Sequence, residues 1–377
     1  MRKLAHVEKI DKLTPIKGAD KIEVAHILGW ECVVKKGEFK EGDKVIYCEV
    51  DSVLPEKPEF EFLRSRKFRI KTIKLRGQIS QGLVLPLDSL SNVSPEVSIS
   101  FVNIGDDVTK YIGITKYITP SERKEIEQLE RKMQNDKNKL RRFMMRYSWF
   151  RSIFLSKSQK SKFPFWVSKT DEKRIQNMPH VLSQFKDKEV YVTEKIDYQS
   201  ATFTGELVPK YNWMGKYSPK KYKFVVCSRN MTNNNKDSLY WQVAKKYNLE
   251  TILKNNPHLT IQGEQGDTKV QGNKYGISEP TLWVFNIFDH KKKRYYHFRE
   301  MENFCESYGL NTVPLIWEGW LKDLGSNVQD LVEYSKGKSV INKKIQREGV
   351  VIRCIENGKK ILSFKVINPK FLLKYEN

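Results

Sequence analysis

Short apolar runs broken by glycine open the chain. Glu23-Val24-Ala25-His26-Ile27-Leu28-Gly29-Trp30 is one, and Lys44-Val45-Ile46-Tyr47-Cys48-Glu49-Val50-Asp51 is another, entered through the turn Glu41-Gly42-Asp43. Gly37, Gly77 and Gly82 punctuate the remainder. About five short strands with glycine turns predict a small closed barrel over residues 1–95, with the OB type first among candidates. Within it Lys67, Arg69 and Lys71 alternate with Phe68 and Ile70. Alternate residues of a strand share a face, so these cations are expected as a basic stripe or an ordinary solvated face. Lys74 and Arg76 fall on the other parity, so a bulge or break near Thr72 is expected if all five cations share one surface.

The pattern changes over 96–164, which reads as a helical connector. Ser121 is an expected N-cap for a charged helix to about Asn138, with Glu122 and Glu125 near its start. The run Phe143-Met144-Met145-Arg146-Tyr147-Ser148-Trp149-Phe150-Arg151 reads best as a helix docked by an apolar face. A Ser/Lys-rich linker over 155–164 ends at Pro164. Residues 165–377 then read as one α+β domain of antiparallel sheets flanked by helices. Strands are expected at 189–194, 200–207, 222–229, 259–264, 281–288, 349–355 and 360–367. Helices are expected from Ser238 to Tyr247, capped by Asp237, and from Phe298 to Tyr308, stopped at Gly309.

Charge sharpens this picture. The 377 residues carry 68 Lys and Arg against 45 Asp and Glu, a formal +23. Such an excess favours a polyanionic partner through counterion release, nucleic acid first. Five cysteines without a CxxC pair fit a reducing compartment, cytoplasmic or nuclear, and argue against a zinc ribbon or disulfide frame. No segment approaches the roughly 18 apolar residues of a membrane span.

The candidate chemistry centres on Lys195, at the end of the expected strand Glu189-Val190-Tyr191-Val192-Thr193-Glu194. A lysine nucleophile must be neutral to attack, so its pKa is expected to be lowered by burial or a nearby cation. Asp197, Glu264 and Glu348 supply hard oxygens suited to Mg²⁺. Lys365 is a lone cation in the apolar run Ile361-Leu362-Ser363-Phe364-Lys365-Val366-Ile367, paired with the strand after Glu348 by a hairpin at Glu356-Asn357-Gly358-Lys359. Such a lysine needs an anionic partner, either a phosphate or Glu348.

These residues occur with Ala19-Asp20-Lys21-Ile22-Glu23, Lys36-Gly37-Glu38-Phe39-Lys40-Glu41-Gly42-Asp43 and Leu75-Arg76-Gly77-Gln78-Ile79-Ser80-Gln81-Gly82-Leu83 in the N-terminal part. Thr170-Asp171-Glu172-Lys173-Arg174-Ile175-Gln176-Asn177, Ser228-Arg229-Asn230, Gln271-Gly272-Asn273-Lys274-Tyr275-Gly276 and Phe285-Asn286-Ile287-Phe288-Asp289 follow. In order and spacing the set resembles ATP-dependent RNA ligases of the covalent nucleotidyltransferase superfamily, in the group with an N-terminal OB module that seals 3′-OH/5′-phosphate nicks. The resemblance covers nearly the whole chain.

The resemblance implies an OB-type barrel joined to a nucleotidyltransferase domain at 165–377. It implies ATP and Mg²⁺ or Mn²⁺ as cofactors, and an RNA or RNA-containing nicked duplex as partner. It makes Lys195 the nucleophile that becomes Lys-AMP. Glu194 would help read adenine, on which Phe285 would stack. Asp197, Glu264 and Glu348 would support the ribose and the metal, largely through water. Lys365 would contact the α-phosphate, and Arg174 and Arg229 the nucleotide or RNA phosphates. Two departures stand out. Tyr198 follows Asp197 where the family's motif has glycine, and only Lys365 is present where two lysines one residue apart are common, with Ser363 and Ile367 on either side. Lys370 is a candidate to compensate for the latter. A DNA ligase, a capping-type nucleotidyltransferase and a non-catalytic RNA-binding protein remain as alternatives. No second OB module is expected after Lys365.

Overall fold

The computed structural model describes residues 3–90, 102–118, 123, 163–210 and 217–375. Apart from Arg123, the charged helix expected over 121–138 lies outside the described residues, as do the run 143–151 and the linker up to 162.

The N-terminal strands form the expected barrel. Ala5–Lys9, Lys44–Cys48 and Leu83–Pro86 pair in one sheet, and Lys12–Pro15, Ile22–Ile27 and Trp30–Lys35 in a second. Thr72–Leu75 pairs with Gln78–Gln81. Trp30 and Tyr47 stack at 5.8 Å in the middle of a continuous apolar core. That core runs on through Val102, Val108, Ile112 and Ile114, so residues 102–118 pack onto the barrel.

The basic stripe is a correction. Pro58–Arg66, just ahead of it, form 3₁₀ turns with a proline in the first turn. Lys67 and Phe68 then take left-handed backbone, φ 52° and 57°. This buries Phe68, and the next strand begins only at Thr72. Arg69 turns inward, 2.7 Å from Asp51 and 3.6 Å above the Tyr117 ring.

The second unit is two antiparallel-dominated sheets with helices on their outer faces. The first has the order Lys173–Arg174, Lys359–Ile367, Gly349–Glu356, Glu189–Lys195, Leu315–Trp320. Its outer face is covered by Val181–Gln184, Leu321–Leu324 and Val328–Ser335. The second has the order Lys220–Ser228, Gln199–Pro209, Leu259–Gly266, Thr281–Asp289, Arg294–Tyr295. Its apolar face packs on Leu239–Lys246, Leu249–Asn255 and Phe298–Ser307. The strands expected from alternation are all present. The hairpin between Gly349–Glu356 and Lys359–Ile367 closes with Asn357 and Gly358 both left-handed, which matches the right-handed strand twist. Asp237 is not a cap: the helix starts at Leu239, its flanking residue is Ser238 in extended backbone, and no side chain caps it. Gly309 ends the other helix as expected, at φ 64°.

The two units meet around Asn177. Trp30 Nε1 donates to Asn177 Oδ1 (2.7 Å), and Asn177 Nδ2 donates to the buried carboxylate of Glu49 (2.6 Å). The barrel is thereby fixed three residues beyond Arg174.

Candidate active site

The chain leaves the first sheet at Lys195 and enters the second at Gln199, and a cleft of about 440 Å³ opens at this crossing. Every residue the sequence singled out for the site lines it: Arg174, Glu194, Lys195, Asp197, Arg229, Glu264, Phe285, Glu348 and Lys365. Lys370 does not line it and is exposed.

Strand register explains the convergence. Lys195 pairs with Gly349, which brings Glu348 beside it, and Lys195 Nζ donates to Glu348 Oε2 at 2.7 Å. A Cβ on Gly349 would collide with the Val366 carbonyl, so glycine lets the Glu348 and Lys365 strands approach this closely. Lys365 pairs with Val351 on one side and Arg174 on the other, which sets two cations side by side. Glu264 and Phe285 come from the second sheet. A bulge between Gln262 and Gly263 leaves Phe285 without a ladder partner and turns its side chain toward the cleft.

The electrostatics divide the cleft. Lys195 is a correction to the sequence argument. Burial would push its pKa down, but Glu348, Glu264 and Asp197 outweigh this and raise it. The groups nearest the amine are carboxylates, which favour the ammonium, rather than cations. Burial pushes Glu264 up to about 8 against the opposing pull of Lys195, and burial raises Glu348 as well. Lys365 moves the other way, down to about 8, through burial and the charges of Lys195 and Arg174. Glu194 is raised by burial although Val340 N–H donates to its Oε2 at 2.7 Å.

Several polar atoms in the cleft are buried without a protein partner: Glu194 Oε1, Glu264 Oε2, Arg174 Nη1 and Arg353 Nε. Buried polar groups are normally paired, so these atoms await a ligand or water. Arg229 is more open, 51 % exposed and 2.9 Å from Asp171, so it stands at the mouth. Among the described residues no three His, Cys, Asp or Glu side chains converge to hold a metal ion directly.

Sequence reasoning missed two residues. Arg353, 3 % exposed, lies 3.3 Å from both Glu172 and the Phe285 carbonyl and lines the cleft. It is a lone cation in an apolar strand, the signal that drew attention to Lys365. Asp51 reaches the cleft from the barrel, 3.8 Å from Arg174, and no sequence signal marks it.

A family model for an OB-fold domain matches residues 4–87, and one for RNA ligase matches residues 188–367. No curated protein matches the chain. Among solved structures the chain is similar to an RNA ligase of Naegleria gruberi. A variant of that enzyme with ATP and Mn gives a TM-score of 0.76 at 27% identity, covering 100% of both chains. A variant with AMP and Mn gives 0.76 at 27%, covering 100% of this chain and 99% of that one, and a structure with PPi gives 0.75 at 28% over the same shares. Two matched domains in this order, a full-length likeness and a charged cleft at the sheet crossing agree: this chain belongs to the RNA ligase family, with an OB-fold module ahead of its ligase domain.

Proposed function

We propose that this RNA ligase uses ATP, forms a covalent lysyl-AMP at Lys195, and seals 3′-OH/5′-phosphate nicks in RNA-containing duplexes. The observation that carries the reading is the division of one cleft. A lysine amine bound to a carboxylate stands between acidic residues on one side and a row of cations on the other.

In the first step the Lys195 ammonium releases a proton to solvent, and the neutral Nζ attacks the α-phosphorus of ATP. The N–P bond forms as the bond to pyrophosphate breaks. Lys365 and Arg174 face the anionic charge that grows there, and Arg174 Nη1 has no protein partner to give up. Glu194 Oε1 is an unsatisfied acceptor suited to the adenine amine, and Phe285 offers a ring to its face. AMP then passes to the RNA 5′-phosphate, and the 3′-OH displaces it, making the phosphodiester.

Asp197, Glu264 and Glu348 would hold a divalent cation, in good part through its water shell. The orphaned Glu264 Oε2 and the hard oxygen donors fit Mg²⁺ or Mn²⁺. When bound, the ion supplies positive charge that offsets phosphate charge and favours the neutral amine. Lys195 gives up its contact with Glu348 to attack, and the carboxylate is then left for that ion or its water.

The test is incubation with α-labelled ATP and Mg²⁺. Wild type should retain label, and Lys195→Ala should retain none. Label on the variant would refute the nucleophile. Nicks with ribose or deoxyribose at the 3′-OH end, offered with ATP or GTP, separate RNA sealing from DNA sealing and capping chemistry.

A further inference from the structure

Tyr198 occupies the position after Asp197, at the floor of the cleft, where bulk and a restricted backbone would be expected to disturb the site. It has no positive φ and is 7 % exposed. Its ring stacks on Trp283 at 5.8 Å and 14° and meets Tyr275 at 5.1 Å. The space comes from the opposite strand. A Cβ on Gly266 would lie 2.6–2.7 Å from three carbons of the Tyr198 ring. Tyrosine at 198 and glycine at 266 are therefore a matched pair, large against small.

The ring also governs a loop. Residues 271–273 are consecutively left-handed, with φ of 49°, 68° and 46°, and Gly276 follows at 68°. Two of the three are not glycine, so the conformation needs support from its surroundings. The support converges on Asn273. Its Oδ1 accepts from Ile277 N–H (2.9 Å) and from Tyr198 Oη (3.2 Å), and its Nδ2 donates to the Ile277 carbonyl (2.8 Å). The loop returns to the residue before Tyr198. Tyr275 Oη accepts from Asp197 N–H at 2.9 Å, and Lys274 forms an ion pair with the Asp197 carboxylate. The Gln271 amide, in the orientation that satisfies both its polar atoms, donates to both carboxylate oxygens at 2.7 and 2.8 Å.

We propose that Tyr198 is a positioning residue: wedged against Gly266, it holds the 271–276 loop as a clasp that fixes Asp197 in the cleft. Tyr198 does not act on the substrate itself. It sets where the Asp197 carboxylate stands, and this rests on the reading of the cleft as an adenylylation site.

The test combines a double-mutant cycle with hydrogen exchange. Single-turnover adenylylation at saturating ATP and the KM for ATP are measured for Tyr198→Ala, Gly266→Ala and the double variant. Exchange of the 195–199 segment is followed in ligand-free protein. Each single variant should slow adenylylation on the order of 10- to 100-fold, as small misplacements of reacting groups do. Gly266→Ala should cost nothing further once the ring is gone. The Asp197 amide should lose protection in both single variants, while Tyr198→Phe, which keeps the wedge, restores most of the rate. Additive losses, or unchanged protection at Asp197, would overturn the proposal. If Tyr198→Ala does not fold, Gly266→Ala with its exchange profile decides alone. Label on Lys195→Ala would instead sink the adenylylation reading, so the two failures are distinguishable.

Discussion

The barrel carries a titratable group whose effect on stability has a definite sign. His6 is 5 % exposed, and its Nδ1 lies 2.6 Å from Glu8 and its Nε2 3.7 Å from Glu49. Asp107 bridges to His6 through the backbone, and the Tyr47 ring meets the imidazole edge-on at 5.3 Å. Burial lowers the His6 pKa, but Glu49 and Glu8 overcome this and raise it from 6.5 to about 8. A raised pKa means that the folded state binds the proton more tightly than the unfolded chain. The stabilisation is complete below 6.5 and is lost as pH rises through about 8. At about 1.4 kcal/mol per pH unit it amounts to roughly 2 kcal/mol. Urea unfolding from pH 5.5 to 9.5, in wild type and His6→Gln, isolates it. The variant will be weaker at low pH because Glu8 and Glu49 lose their cation, but it lacks this titration. Cleft groups titrate in both proteins and drop out of the difference. The gap between the two proteins should therefore narrow by about 2 kcal/mol between pH 6 and 9.5. A constant gap would show that His6 is not the protonated partner of the two glutamates.

Asn177→Ala removes two side-chain hydrogen bonds between the units, takes the acceptor from the buried Trp30 Nε1 and one donor from Glu49; about 2–4 kcal/mol should be lost in a thermal melt, and a loss under about 0.5 would refute the accounting. Arg353→Met leaves the buried Glu172 with Lys360 as its remaining cation, costing about 2–3 kcal/mol, and adding Glu172→Leu should recover part of that. Phe203→Ala empties a fully buried site in the second sheet and should cost about 3–5 kcal/mol by urea midpoint. Lys365→Met should leave the melting temperature near wild type while slowing lysine adenylylation about 10²–10³-fold; an unchanged rate would remove Lys365 from the phosphate site.

Much of this architecture is legible along the chain because strand patterning is local. Period-two alternation and glycine turns place the strands of the barrel and of both sheets, and lone charges in apolar strands point to Lys195 and Lys365. What patterning misses is decided by tertiary packing. Lys67, Arg69 and Lys71 alternate as a strand would, yet Lys67 and Phe68 take left-handed backbone and Phe68 is buried in the barrel core. Asp237 looks like a cap, but the helix begins one residue too late for it. Asp51 belongs to the barrel in sequence and to the cleft in space, a relation set by the docking at Asn177.

The Lys195 pKa marks the deeper limit. Sequence supplies the requirement for a neutral amine, but not which neighbour controls it. In the folded chain Glu348 sits on the amine at 2.7 Å, and Glu264 and Asp197 add their charge, which raises the lysine pKa and favours the ammonium. Glu264 is held up to about 8 and Lys365 down to about 8 within the same cleft. A buried set of this kind relaxes when opposite charge enters. A cation held by the carboxylates would favour the neutral amine, and phosphates would satisfy Lys365 and Arg174. On the proposed reading, the carboxylates that favour the Lys195 ammonium are the same ones that would hold a divalent cation, so the neutral amine should be favoured only once that positive charge is in place.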